Sequence, residues 1–517
     1  MTALVSLTVC LVVLATATPA FAQFAQRSGA GFTLNGRPWR FLGYNAYRMS
    51  SDRPATACGT FLDDATVDAL LEDARKAGST VVRTWFFQRY YRDAGNSYAP
   101  FDRVLAKARA KGLKVIPVLV NHSPDCEPSG GQAKTEAFYA QGFREAGWGY
   151  TQAYKDWAFQ VASHYRDEAT IAFWQLVNEA ETSSSGACDR TIEANGRSHS
   201  SNVLRSFADE MVAHVKAADP NHLVSLGTIG SGQCGAEGAE YAHVHAGSVD
   251  LCEYHDYGDV LQAVPDDGFN RLRQRIEQCA ALNKPLVIGE AGIPADVGPD
   301  GQPVGVIDAV TLQRRADLFE AKIRAAFTMG IDGYLIWQKI SDASNSPANL
   351  GEGRFGVGPS SLFFDPLNGL TCALAREFAI APLVIVTLGV NEAVVGPGDV
   401  LTLTMTTNAR CARADVADFY LAVLVPGGSA FMFDGARWTL VFDGVQVFSE
   451  ALEPFRTHAA VTTIGDPVVS SAIPSTLPPG TYTFVVALVS VGADPLDTAN
   501  WVSALGQTSF SIPLHGP

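Results

Sequence analysis

Between Phe32 and Ala379, short apolar runs of strand length alternate with longer runs in which apolar residues recur every three or four positions, and the alternation repeats about eight times. A short apolar run bounded by turn formers suits a strand buried on both faces, and an amphipathic run of ten or more residues suits the helix that covers it. The pattern predicts strands at Phe41–Asn45, Thr80–Trp85, Leu113–Val120, Ile171–Val177, Leu223–Leu226, Val249–Tyr254, Pro285–Ile288 and Tyr334–Trp337. Helices are expected at Asp64–Ala77, Phe101–Lys111, Ser200–Ala218, Phe269–Leu282 and Thr311–Met329, with lengths that suit crossovers between parallel neighbours. The expected α/β architecture is a closed (β/α)8 TIM barrel. Ahead of it, Phe32-Thr33-Leu34 and Trp39-Arg40-Phe41 flank Asn35-Gly36, a hairpin signal placed to plug the barrel bottom.

After Phe378 the texture changes. Turn signals such as Gly396-Pro397-Gly398 and Pro478-Pro479-Gly480 punctuate Val/Thr/Leu-rich runs with little helical periodicity. Val400–Met405, Phe419–Val425, Thr439–Phe442 and Tyr482–Val489 are the clearest strands, and they predict a C-terminal antiparallel β-sandwich, immunoglobulin-like, over residues 383–517. It follows a barrel over 23–382.

Residues 1–22 carry no charge, run apolar from Leu4 to Leu14 and end in Ala20-Phe21-Ala22, which predicts a cleaved signal peptide and a secreted chain with no membrane anchor afterwards. Of nine cysteines, Cys10 leaves with that segment, and the remaining eight, bound for an oxidising compartment, predict disulfides. Cys58, Cys126, Cys188 and Cys234 follow strands and could staple the corresponding face; Cys252 and Cys279 form a plausible local pair, and Cys372 and Cys411 could bridge the domains. A net charge of −15 argues against nucleic acid, which needs a clustered basic surface. The expected partner is a polysaccharide substrate, bound by a monomer.

In a parallel barrel the active site lies at the C-terminal ends of the strands. Read at those ends, strand two supplies Arg83 and Trp85, strand three Asn121 and His122, strand four Asn178 and Glu179, strand six His255 and Tyr257, strand seven Glu290 and strand eight Trp337. A single Asn-Glu or Gly-Glu pair says little, because most carboxylates face water. Polar groups at the ends of this many strands, with two glutamates among them, are hard to explain as stability features. Phe173-Trp174-Gln175-Leu176-Val177-Asn178-Glu179 resembles the strand-four signature of retaining (β/α)8 glycosidases, and Ile288-Gly289-Glu290 resembles their strand-seven nucleophile. With Gly43-Tyr44-Asn45-Ala46-Tyr47, the Arg83 segment, His255-Asp256-Tyr257 and Ile336-Trp337, the likeness narrows to glycoside hydrolase family five, on its β-mannanase side, over roughly residues 32–379. It departs at Ala180, where many members have Pro, and at Asn121-His122, whose alignment is ambiguous.

The resemblance implies Glu290 as nucleophile and Glu179 as acid/base. Arg83 and Tyr257 would steady the nucleophile, His255 would position Tyr257, Asn178 would bind the sugar 2-hydroxyl and Trp337 would form a platform under the ring. Burial and a neighbouring carboxylate should raise the pKa of Glu179 so that it holds a proton. Trp85, Phe86, Phe87, Tyr90, Tyr91 and Trp148 are expected near the rim. The implied activity is an endo-β-1,4-mannanase; the alternatives are a β-1,4-glucanase, an exo-β-glycosidase or transglycosylase, and, from another class, a non-catalytic carbohydrate-binding surface protein. No cofactor is implied. Gly230–Gly235 and Gly351–Gly356 match a dinucleotide fingerprint only as strings, since neither opens a clear helix after a strand, and no metal site is persuasive around His243 and His245.

Overall fold

The computed structural model describes residues 24–34, 36–50, 62–128, 133–184, 186–266, 271–340, 355–358, 365–378, 384–409, 416–443, 456–460, 464–496 and 506–513, together with 446, 452, 454 and 503. The signal-peptide expectation, Cys58, Cys411, Trp501 and residues 351–354 of the second glycine string fall outside these residues. No helix among them is long and apolar enough to cross a membrane. The chain divides into two compact units, which meet between Ala381 and Pro382.

In the first unit, eight parallel strands form one sheet in the order five-four-three-two-one-eight-seven-six: Phe41–Asn45, Val81–Trp85, Lys114–Val118, Phe173–Gln175, Leu223–Ser225, Cys252–Asp256, Leu286–Ala291 and Gly333–Ile336, numbered one to eight along the chain. Backbone bonds from Asp250 N–H to the Val224 carbonyl (2.9 Å) and from His255 N–H to that of Ile229 (2.7 Å) tie strand six to the strand-five segment. This is the TIM barrel that the alternation predicts. The covering helices start where the side chains dictate: Asp63 accepts from Thr66 N–H at 2.7 Å, and Asp308 forms a capping box with Thr311. In the helix Asp64–Lys76, Val67, Leu70, Leu71 and Ala74 make one buried stripe facing the sheet.

The bottom of the barrel is closed by a three-stranded antiparallel sheet, Ala25–Ser28, Gly31–Leu34 and Arg37–Trp39. Phe32, Trp39 and Phe41 pack with Val81, Ile116, Phe173, Leu223, Leu251, Val287 and Leu335 from the barrel strands into one apolar cluster. With that end sealed, the polar strand ends can gather only at the other.

The second unit is a β-sandwich. Val384–Val390, Val400–Ala409 and Ile464–Ala472 form one antiparallel sheet; Trp438–Phe442, Ala430–Phe433, Val416–Leu424, Gly480–Val489 and Gly506–Ile512 follow one another in the second, with Arg456–Ala460 also paired to Val416–Leu424. Leu401, Leu403 and Met405 alternate inward to meet Phe419, Leu421, Phe484 and Val486 of the facing sheet. Trp438 packs on Phe433 and Phe484. Disulfides join Cys188 to Cys234 and Cys252 to Cys279, and Cys126 and Cys372 are disulfide-bonded as well.

Asp332, at the start of strand eight, gives a testable consequence. Its carbonyl holds Phe41 N–H at 2.9 Å, but its side-chain Oδ2 is buried without a hydrogen-bond partner. Burial pushes its carboxyl up to about 7, with only the charge of Arg40 opposing. Across the window from the ordinary aspartate range to about 7, the folded chain holds a proton that the unfolded chain has lost, so stability falls as pH rises through it. Asp332→Asn should therefore gain thermal stability relative to the wild type as pH is raised from about 4 to about 8. Melting curves across that range that remain parallel would show that Asp332 is ionised in the fold.

Candidate active site

Arg83 projects from strand two into the barrel with no solvent exposure, and four acceptors hold its guanidinium. Nε donates to Gln175 Oε1 (2.8 Å), Nη1 to Asn45 Oδ1 (2.8 Å) and Glu290 Oε1 (2.7 Å), and Nη2 to Asn178 Oδ1 (2.6 Å). Four of the eight strands thus meet at one cation, since Arg83 itself sits on strand two, Asn45 ends strand one, Gln175 and Asn178 belong to strand four and its end, and Glu290 sits on strand seven.

Strand seven carries a register shift between Ile288 and Ala291, where Gly289 and Glu290 interrupt regular pairing with strands six and eight. Asn45 Nδ2 donates to the Gly289 carbonyl at 3.0 Å and holds this irregularity in place. The bulge turns Glu290 inward, where it is 3% exposed, and its second oxygen accepts from the Tyr257 hydroxyl at 2.8 Å. Tyr257 leaves its ring edge in solvent and meets Phe355 edge-on.

Glu179 has φ +59°, the left-handed region that a non-glycine residue occupies at some cost. The flanking chain holds it there: Ala180 N–H donates to the Gly227 carbonyl at 3.0 Å, and Gln233 Nε2 donates to the Ala180 carbonyl at 3.1 Å. The departure from Pro at position 180 thus leaves an N–H that this chain uses. Gly227, with φ +91°, must lack a side chain, because a Cβ would fall 1.7 Å from the Val177 carbonyl oxygen. Next along, Thr182 N–H bonds the carbonyl of Cys234, itself bridged to Cys188.

His255 Nδ1 lies 2.9 Å from Glu179 Oε1 and 3.6 Å from Glu290 Oε2. One oxygen of each glutamate and a ring nitrogen of His255 lie within 4.8 Å of one another. Three such atoms could in principle ligate a metal ion, but Arg83 and Tyr257 already take both oxygens of Glu290, and the Arg83 charge opposes a second cation there. Burial raises the Glu179 carboxyl, but the hydrogen bond to His255 and the charges of His255, Arg83 and His122 outweigh it and hold the group below the usual carboxylate range. The raised value expected from burial alone is thereby corrected.

Other strand-end residues divide into those that face the cleft and those that support it. Trp337 stacks face to face on Tyr47, with centroids 5.4 Å apart and planes at 4°, and remains partly exposed. Trp85 is only 3% exposed, packed against Phe87, Tyr47 and Trp337 with the Arg83 guanidinium over its ring, and so lies behind Trp337. Asn121 is 4% exposed and accepts from Asn178 Nδ2 at 3.1 Å, which supports that residue. His122 bonds the Tyr139 hydroxyl through Nδ1 (3.0 Å) and faces Glu181 through Nε2 (3.4 Å). Phe86, Phe87 and Tyr90 are core residues and not rim aromatics, whereas Tyr91 and Trp148 stay partly exposed. Sequence reasoning overlooked Gln175 and Glu253, polar residues inside apolar strands that both belong to the Arg83 network.

Residues 41–313 match the family model of cellulase, glycosyl hydrolase family 5. Among curated proteins, the putative mannan endo-1,4-beta-mannosidase 9 of Oryza sativa subsp. japonica is 28% identical over 372 residues, covering 63% of this chain and 83% of its own length. The probable mannan endo-1,4-beta-mannosidase C of Aspergillus terreus is 26% identical over 314 residues, covering 52% and 73%. The crystal structure of an endo-1,4-beta-mannanase from Rhizomucor miehei superposes with a TM-score of 0.51 at 19% identity, covering 69% of this chain and 100% of that one, which supports the barrel fold. The matched span runs from the first barrel strand into the helix before the eighth, and so takes in Arg83 and both glutamates: the chain belongs to glycosyl hydrolase family 5 and is a glycosidase.

Proposed function

We propose that this glycosidase cleaves β-1,4-linked mannan internally by double displacement, with Glu290 as nucleophile and Glu179 as acid/base. The observation that carries the mechanism is the approach of the two carboxylates to within 4.8 Å, oxygen to oxygen. Retaining hydrolysis needs carboxyls roughly 5–5.5 Å apart, since an inverting pair must leave room for water between them. In the first step Glu290 attacks the anomeric carbon, the glycosidic C–O bond breaks and Glu179 gives its proton to the departing oxygen. In the second, water attacks the same carbon, Glu179 takes the water proton and the bond to Glu290 breaks.

The surroundings suit these roles. Arg83 and the Tyr257 hydroxyl each donate to one oxygen of Glu290 and so fix the orientation of its carboxylate. Glu179 must alternate between acid and base, and His255 Nδ1 serves either state: it donates to the carboxylate and accepts from the carboxylic acid. Asn178 gives one N–H to Asn121 and keeps the other for the sugar 2-hydroxyl, while Trp337 offers its ring face to a pyranose. Mannan as the substrate rests on the names of the relatives, and a β-1,4-glucan is the second reading because the family model is described as cellulase. Export with cleavage after Ala22 is part of the same proposal, supported by the disulfides Cys188–Cys234 and Cys252–Cys279, which need an oxidising compartment. Residues 383–517 serve as a non-catalytic accessory domain.

Glu179→Gln and Glu290→Gln should each remain folded, the second with a lowered melting temperature because it leaves the buried Arg83 charge uncompensated, and each should lose on the order of 10³-fold or more in kcat. Azide added to Glu290→Ala should yield a glycosyl azide of inverted configuration relative to the substrate. Wild-type turnover in either glutamine variant would remove the mechanism. Reducing ends should appear faster from β-mannan than from carboxymethylcellulose or xylan; equal or faster release from the cellulose derivative would move the substrate to the glucan side and leave the catalytic assignment standing.

A further inference from the structure

Beneath the two catalytic glutamates lies a third carboxyl that neither step of the double displacement uses. Glu253 is on strand six, two residues before His255 and therefore on the same inward face, and it is 1% exposed. Its Oε1 accepts a hydrogen bond from Gln175 Nε2, while its Oε2 is buried without a hydrogen-bond partner. His255 Nε2 is likewise buried and unpartnered. Both groups border Gly289, where a Cβ would stand 3.2 Å from His255 Nε2 and 3.9 Å from Glu253 Oε1.

We propose that Glu253 is a positioning residue for the nucleophile: as a neutral carboxylic acid it fixes the orientation of the Gln175 amide, and through it the Arg83 fork that holds Glu290. This rests on the assignment of Glu290 as nucleophile. A glutamine amide fits its cavity almost equally well turned over, so something must choose the orientation. Arg83 Nε has only hydrogens to offer and needs the amide oxygen, which it finds at 2.8 Å. Glu253 Oε1 supplies the complementary acceptor for the amide nitrogen. In the reverse orientation an oxygen would face an oxygen and an N–H an N–H, among groups buried from solvent. Once Nε is anchored, the rigid guanidinium plane directs Nη1 to Glu290 and Nη2 to Asn178.

Charge requires the neutral form. Arg83 brings one positive charge, and Glu290 takes it directly at 2.7 Å. A second carboxylate in the same buried layer would be uncompensated and would draw Arg83 away from the nucleophile. In keeping with this, burial pushes Glu253 above the ordinary carboxylate range, although Arg83 and His255 oppose it.

The test compares full-length Glu253→Gln and Glu253→Met, one preserving an acceptor and neutrality, the other preserving volume alone. On whichever soluble β-glycan the wild type cleaves fastest, Glu253→Gln should keep kcat within ~3-fold, while Glu253→Met should lose on the order of 10²-fold in kcat and keep KM within ~3-fold, because the nucleophile is bound but no longer aligned. Gln175→Met, which removes both amide contacts, should behave as Glu253→Met does and decides the matter if the latter fails to fold. Wild-type kinetics in either folded methionine variant would overturn the proposal, as would a loss in Glu253→Gln as deep as that in the methionine variants. Activity retained in Glu290→Gln would remove the nucleophile assignment itself; an inactive Glu290→Gln beside a fully active Glu253→Met would remove only this inference.

Discussion

One buried guanidinium organises the top of the barrel. Arg83 makes four short hydrogen bonds to groups from strands one, four and seven, and each partner fixes something else: Asn45 the bulge at Gly289, Asn178 a donor toward the cleft, Gln175 the link to strand six, and Glu290 the reactive oxygen. An unpaired charge at this depth would cost several kcal/mol, so the partners are obligatory once Arg83 is present. The same bonds that satisfy the arginine set the distance between nucleophile and acid/base. Stability and chemistry are therefore coupled at this point, and lysine could not replace it, lacking the planar fork that reaches four directions.

The two glutamates reach the cleft by different irregularities. Glu290 is turned by a bulge within a hydrogen-bonded strand, whereas Glu179 sits just past its strand in a left-handed conformation held by Gly227 and Gln233. The first yields an enclosed carboxylate with two donors upon it; the second yields a carboxyl that is still one-third exposed and meets one histidine. That asymmetry matches a division of labour in which one group stays ionised and the other exchanges protons with substrate and water.

The barrel could be read from the sequence because buried parallel strands are apolar on both faces and turn formers separate them from amphipathic helices. Errors cluster where chemistry interrupts that rule. Strand six was expected over Val249–Tyr254 and runs over Cys252–Asp256; strand seven was expected to stop at Ile288 and continues to Ala291. In both, pairing persists past the last apolar residue into the site residues, since backbone hydrogen bonds do not depend on side-chain polarity. The strand Ala25–Ser28 was invisible for the related reason that three of its four residues are exposed and show no apolar alternation. Gln175 and Glu253 carried a usable signal: Gln175 is the lone polar residue of Phe173–Gln175, Glu253 sits between the apolar Leu251-Cys252 and Tyr254, and a buried polar group implies a partner. The burial argument for Glu179 failed in direction because the sequence does not show that His255 lies 2.9 Å away.

The central claim is that Glu179 and Glu290 stand at the separation for double displacement, not for direct attack by water. Proton NMR of the anomeric signals during hydrolysis of a soluble β-linked oligosaccharide tests it without any mutation. The account predicts that the β-anomer of the new reducing end appears first and that the α-anomer grows in later by mutarotation. Initial release of the α-anomer would show inversion and would contradict the assignment of Glu290 as a nucleophile.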